Sequence, residues 1–80
     1  MKYPLVPLKE VLRYVPLAEK EKVSEVARSP RGFLTQYKKD NLSEAWLLKR
    51  ENFIKRHLAQ YKKNPTLRRW LALMMWAYKP

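Results

Sequence analysis

Apolar residues recur at helical spacing along most of the chain, and prolines cut the pattern into pieces. Leu8, Val11, Leu12 and Val15 follow Pro7, which suits the first turn of a helix, and Pro16 closes the stretch because proline disfavours helical backbone in the residue before it. A first helix of about two turns is expected there. From Pro16, the segment LAEKEKVSEVARS has good helix formers and a thin apolar stripe of Val23, Val26 and Ala27, which predicts a second, weakly amphipathic helix. Ser29 and Pro30 read as the cap and first-turn residue of a third short helix, with Phe33, Leu34 and Tyr37 on one face and Asp40 and Asn41 at its end.

The clearest pattern follows. Ser43 caps a helix expected from Glu44 to about Lys63, with Leu42 before the cap and Leu47 after it placed as a hydrophobic staple. At about 100° per residue, Leu47, Ile54, Leu58 and Tyr61 gather on one side, flanked by Trp46, Phe53 and His57. The opposite arc collects Lys49, Lys55, Arg56, Lys62 and Lys63 with Asn52 and Gln60, and Glu51 lies at its edge. Arg50 falls within the apolar arc, where an unpaired charge costs several kcal/mol, so a carboxylate partner such as Asp40 or Glu44, or an outward reach, is expected.

Asn64 and Pro65 stop this helix and start the last one, expected to run from Leu67 to Tyr78 with Asn64 as cap. From Leu71 that helix is apolar nearly all round, the pattern of a central, buried element. With a single glycine and no run alternating with period two, nothing points to a sheet. The expected architecture is all-α: a compact bundle of about five helices in one domain over residues 1–80, with one long basic amphipathic helix and an apolar C-terminal helix.

A weak internal similarity overlies these elements. QYKK at Gln36–Lys39 recurs at Gln60–Lys63, and Trp46 with Leu47 matches Trp70 with Leu71 at the same offset. Each copy reads as a helix end, a polar turn and the aromatic-anchored start of the next helix, with a lysine pair where the helix dipole favours cations.

Composition narrows the function classes. Apolar residues are 46% of the chain, so it folds rather than forming a disordered basic tail, and the absence of cysteine excludes disulfides, thiolate metal sites and a cysteine nucleophile. No stretch has a signal-peptide pattern or the roughly 20 apolar residues of a membrane span, so a soluble, intracellular protein is expected, cytoplasmic or nucleoid-associated. Net charge is +11, and it is uneven: Met1–Ala27 has five Lys/Arg against four Asp/Glu, whereas Arg28–Pro80 has thirteen against three.

Candidate chemistry follows from that field. A helix face that sets five cations against one acid at its edge, Glu51, with Glu51 and Lys55 its single Glu–Lys pair four apart, is self-repelling unless a polyanion neutralises it. DNA or RNA backbone is therefore the expected partner, through Lys49, Asn52, Lys55, Arg56, Lys62 and Lys63, with Arg68 and Arg69 across the following turn. Arg68 and Arg69 oppose the dipole of the last helix unless an anion or acid compensates, and with Lys62 and Lys63 they are expected to make the densest cationic centre. Arg28 and Arg31 bracket Pro30 in a geometry suited to phosphate or a narrow minor groove. Pro30–Gly32 resembles the ProArgGly core of AT-hooks, though the flanking basic and proline residues are missing.

His57 is the single histidine and has no second ligand at metal-binding spacing. Ser24, Ser29 and Ser43 have no recognisable base, and no glycine-rich loop is present. No enzymatic activity, cofactor or metal is expected. An alternative reading is a protein-interaction module or homo-oligomer using Trp70, Met74, Met75 and Trp76 of the last helix, to be told apart by the exposure of those side chains. Docking on an anionic membrane surface ranks third.

Overall fold

Five α-helices and one 3₁₀ turn make up the regular structure of residues 3–80, the part that the computed structural model describes. In chain order they are α1 (Leu8–Arg13), α2 (Val15–Lys20), the 3₁₀ turn Val26–Arg28, α3 (Phe33–Lys38), α4 (Glu44–Lys63) and α5 (Leu67–Met75). The chain is a small all-α bundle, and no strand occurs among the described residues.

Three helices end in the same way. At α2, Lys22 takes a left-handed φ of 57°, its N–H donates to the Glu19 carbonyl, and the Val23 N–H donates to Ala18. Asp40 after α3 (φ 52°) and Ala77 after α5 (φ 58°) repeat this pair of bonds, with Asn41 donating to Gln36 and Tyr78 donating to Leu73. This is the Schellman arrangement, which satisfies the last carbonyls of a helix, here built without glycine. It explains two departures from the sequence pattern. The second helix stops at Lys20, leaving Val26 and Ala27 to a separate 3₁₀ turn, and the last helix stops at Met75 rather than Tyr78.

Capping supplies two more corrections. Ser29 does not cap α3: its carbonyl accepts from the Gly32 N–H and the Thr35 hydroxyl within a turn, and Gly32 occupies the cap position. Asn64 ends α4, and it is Thr66 whose hydroxyl accepts from the Arg69 N–H to cap α5. Ser43 caps α4 as expected, accepting from the Trp46 N–H.

The core forms around α5, which contacts both α2 and α4. Leu71, Met74, Met75, Trp76 and Ala77 are buried against Val6, Val11, Ala18, Val23, Ala27, Phe33 and Leu34. Trp76 is the hub, stacked on Phe33 at 5.2 Å and on Phe53 at 4.7 Å between ring centroids.

Arg50 departs most from expectation. It is 2% exposed and pairs with no carboxylate. Its guanidinium donates to four backbone carbonyls: Nε to Trp76 (2.7 Å), Nη1 to Tyr3 (2.6 Å), and Nη2 to Pro4 (3.1 Å) and Ala77 (2.9 Å). The planar fork with five donors suits this role, as no other side chain can reach four acceptors in one plane. One residue of α4 thereby fastens the N-terminal stretch to the segment following α5, beside the Val6 N–H bond to the Ala77 carbonyl and the Tyr37 hydroxyl bond to the Val6 carbonyl. Burial lowers the Arg50 pKa from its usual value, with Tyr37 and Tyr78 acting in the opposite direction.

Gly32 is needed for space rather than for conformation, since its φ of −84° is open to any residue. A Cβ there would lie 2.7 Å from the Ala27 carbonyl oxygen and closer still to that of Val26. Both obstacles are backbone, so the turn itself must move. Gly32→Ala is expected to cost about 1–3 kcal/mol, read as a lower urea midpoint with an unchanged m-value.

Candidate nucleic-acid interface

The long helix presents its cations as its periodicity requires. With Ile54 and Arg50 turned into the core, Lys49, Asn52, Lys55, Arg56, Lys62 and Lys63 are all exposed. Among the described residues the two ion pairs are Glu19–Arg28 (3.7 Å) and Glu10–Lys79 (3.1 Å), and neither involves α4. Lys49 leans over the Trp46 ring, its Nζ 4.7 Å from the centroid, and remains exposed.

Arg68 and Arg69 lie across the turn from the end of α4, and the apparent clash with their own helix dipole has a structural answer. Arg69 Nη1 donates to the carbonyls of Asn64 (2.8 Å) and Gln60 (3.4 Å), so the guanidinium compensates the negative end of α4. Arg68 Nη2 donates to the Lys22 carbonyl at 3.3 Å and ties α5 to the end of α2. No external anion is needed to explain either residue.

Arg28 and Arg31 diverge. Arg31 is exposed, whereas the Arg28 side chain is 10% exposed, donates to the Val23 carbonyl and faces Glu19. Its Nε is buried with no hydrogen-bond partner. Arg28 thus braces the 23–28 segment instead of joining the accessible cations, and Pro30–Gly32 is folded against that segment through Gly32.

The tertiary structure adds a groove that the helix pattern does not mark. One hollow of about 490 Å³ is lined by Val23, Val26, Phe53, Met75 and Trp76, with Lys49, Asn52, Arg56 and His57 among its polar residues. A second, of about 460 Å³, has Gln60, Thr66, Arg68 and Arg69. They share Val23, Ser24, His57 and Ala72, so they run into each other along the α4 side of the 23–26 segment. Four cations and no carboxylate line the pair. Lys55, Lys62 and Lys63 are further round α4 and do not line it.

His57 stands where the two hollows meet. Its ring stacks on Phe53 at 3.9 Å and an interplanar angle of 20°, and Phe53 stacks on Trp76 at the same angle, making a three-ring ladder that runs from the core to the groove. Burial and the neighbouring Arg56 lower the His57 pKa from its ordinary value, which favours the neutral ring. Val23, Ser24, Met75 and Trp76 reach the site from other elements. Phe53 and His57, four apart on one helix, are its only aromatic pair visible in the local sequence.

For the alternative use of the last helix, Met74, Met75 and Trp76 are buried within the monomer and Trp70 is half-buried, its ring edge-on to Tyr14 at 4.9 Å. A partner gripping the three buried side chains would have to open the core. Among the described residues no helix is long and apolar enough to cross a membrane, and no group of three or more His, Asp or Glu side chains is placed to hold a metal ion. Comparison with protein-family models, with curated proteins and with solved structures found no match to this chain.

Proposed function

We propose that this protein binds nucleic acid, chiefly through the phosphate backbone, and acts as a binding protein rather than an enzyme. The observation that carries this reading is the cluster of accessible cations on the outer face of α4 and along the adjoining groove. Lys55, Arg56, Lys62 and Lys63 stand exposed on one helix with no ion pair among the described residues, and the adjoining groove adds Lys49, Arg68 and Arg69 without a carboxylate. Cations held apart from acids keep a self-repulsion that a polyanion relieves, and phosphate is a polyanion whose released counterions supply binding free energy. Asn52 and Gln60 stand among the cations and carry the donor–acceptor amides that can meet base edges. DNA or RNA as partner implies a cytoplasmic or nucleoid-associated place of action.

The test is affinity for a generic duplex across a salt series. The slope of log affinity against log salt is about −0.9 for each phosphate neutralised on B-DNA, so six or seven contacts, from the exposed α4 cations and the arginines of α5, give a slope of about −5 to −6. Binding that does not change with salt, or no binding at low salt, overturns the reading.

A further inference from the structure

The groove has features that backbone binding alone does not require. Its walls are cationic, yet its floor is apolar: exposed Val26 and half-buried Phe53 and Ala72, laid over the buried Val23, Met75 and Trp76. A surface made only to track phosphates gains nothing from such a floor. Each hollow falls within the volume of about 300–1,000 Å³ typical of pockets for small organic ligands. The ring that borders both is His57, the outermost member of the Trp76–Phe53–His57 ladder.

We propose that this groove is a slot for the unpaired bases of a single-stranded nucleic acid, which stack on the outer face of His57, backed by Phe53, while the strand's phosphates run between Lys49 and Arg56 at one end and Arg68 at the other. The inference rests on the proposed function and specifies its substrate. Charge complementarity selects the occupant. A ligand that suits flat aromatic rings, an apolar floor and four flanking cations must combine a planar ring with repeated negative charge, and a strand with splayed bases has both. Duplex is a poorer fit, because its bases are stacked and paired and must be extruded to enter a slot. His57 serves as the stacking ring, four residues from Phe53 on the same helix face. Asn52, Ser24 and Gln60 place hydrogen-bonding groups along the strand's path, and with them the preference for sequence is modest.

Fluorescence anisotropy at one fixed salt concentration, with a labelled unstructured DNA of about 12 nucleotides and a duplex of the same length, tests the slot. Single strand is expected to bind about tenfold tighter than duplex. His57→Ala is expected to remove about that factor from single-strand binding and leave duplex binding unchanged, and His57→Phe, which keeps a stacking ring, restores it. The half-buried position of His57 at the groove makes both variants foldable, which thermal unfolding checks. As the single histidine, His57 also reports directly: its imidazole proton resonances shift on addition of the single strand and not in a variant that fails to bind. Equal affinity for both forms, or single-strand binding indifferent to His57→Ala, overturns the slot and leaves the phosphate-binding function standing. Failure to bind either form at low salt overturns both.

Discussion

Arg50→Met is expected to lower the unfolding free energy by about 3–5 kcal/mol, a large share of the roughly 4–12 kcal/mol typical of a domain this size. Four carbonyls, of Tyr3, Pro4, Trp76 and Ala77, face one guanidinium in the interior, and those of Trp76 and Ala77 are bonded to it where it is buried. Hydrogen bonds to a charged donor contribute about 1.5–3 kcal/mol each, and desolvating the cation offsets several kcal/mol of that sum. Methionine fills much of the volume but donates nothing, so the carbonyls lose their partner and the N-terminal stretch loses its hold on the segment after α5. Arg50→Lys keeps the charge on a point donor without the planar fork, and it should recover less than half of the loss. Urea unfolding of the three proteins decides the matter: a methionine variant within about 1 kcal/mol of the parent would mean that the clamp is ornamental.

The second large effect is on binding. Reversing Lys55, Arg56, Lys62 and Lys63 to Glu together replaces four phosphate contacts with four repulsions, and affinity for duplex or single strand should fall by at least about 100-fold, with a salt slope flatter by about 0.9 per contact removed. All four side chains are exposed and make no ion pair among the described residues, so the fold should survive. Circular dichroism and the urea midpoint verify that. A folded variant with undiminished affinity would move the phosphate contacts off these four residues. Arg28→Glu makes an informative contrast. Because Arg28 is bonded to Val23 and faces Glu19, its reversal should act on stability and only indirectly on binding.

Much of the helical layout is legible in the chain itself, and the reasons are local. Ser43 with its exposed first turn, the long run without proline or glycine, and the stop at Asn64–Pro65 act within one or two turns, which is why α4 runs from Glu44 to Lys63 as the pattern indicates. The division of α4 into an apolar and a cationic side is equally local, since it follows from helical period alone. The burial of Leu71 and of Met74 through Ala77 follows from their unbroken apolarity.

Where the pattern misleads, a competing interaction acts. Lys22, Asp40 and Ala77 are ordinary helix-compatible or turn residues in sequence, and only the closing of Schellman bonds puts them in the left-handed region and ends their helices. Thr66 caps α5 in place of Asn64 because Asn64 is already committed as the C-cap of α4. Arg69, read as a cation in search of an anion, spends its guanidinium on α4's terminal carbonyls, and Arg28 turns inward between Val23 and Glu19.

The sequence by itself determined the fold class, the extent of the longest helix, the sidedness of its charge and the exposure of the lysines on it, because each depends on residues within a few turns of one another. The tertiary structure alone decided three things. It gave Arg50 backbone carbonyls 26 to 47 residues away instead of a carboxylate. It set the 23–26 segment beside α4 and α5 to open a groove. It also turned Phe53 and His57 from core-flanking residues into the lip of that groove. Carbonyl groups are present at every position, so no pattern of side chains can announce which of them a buried cation will find, and a groove exists only where separate elements fail to close upon one another.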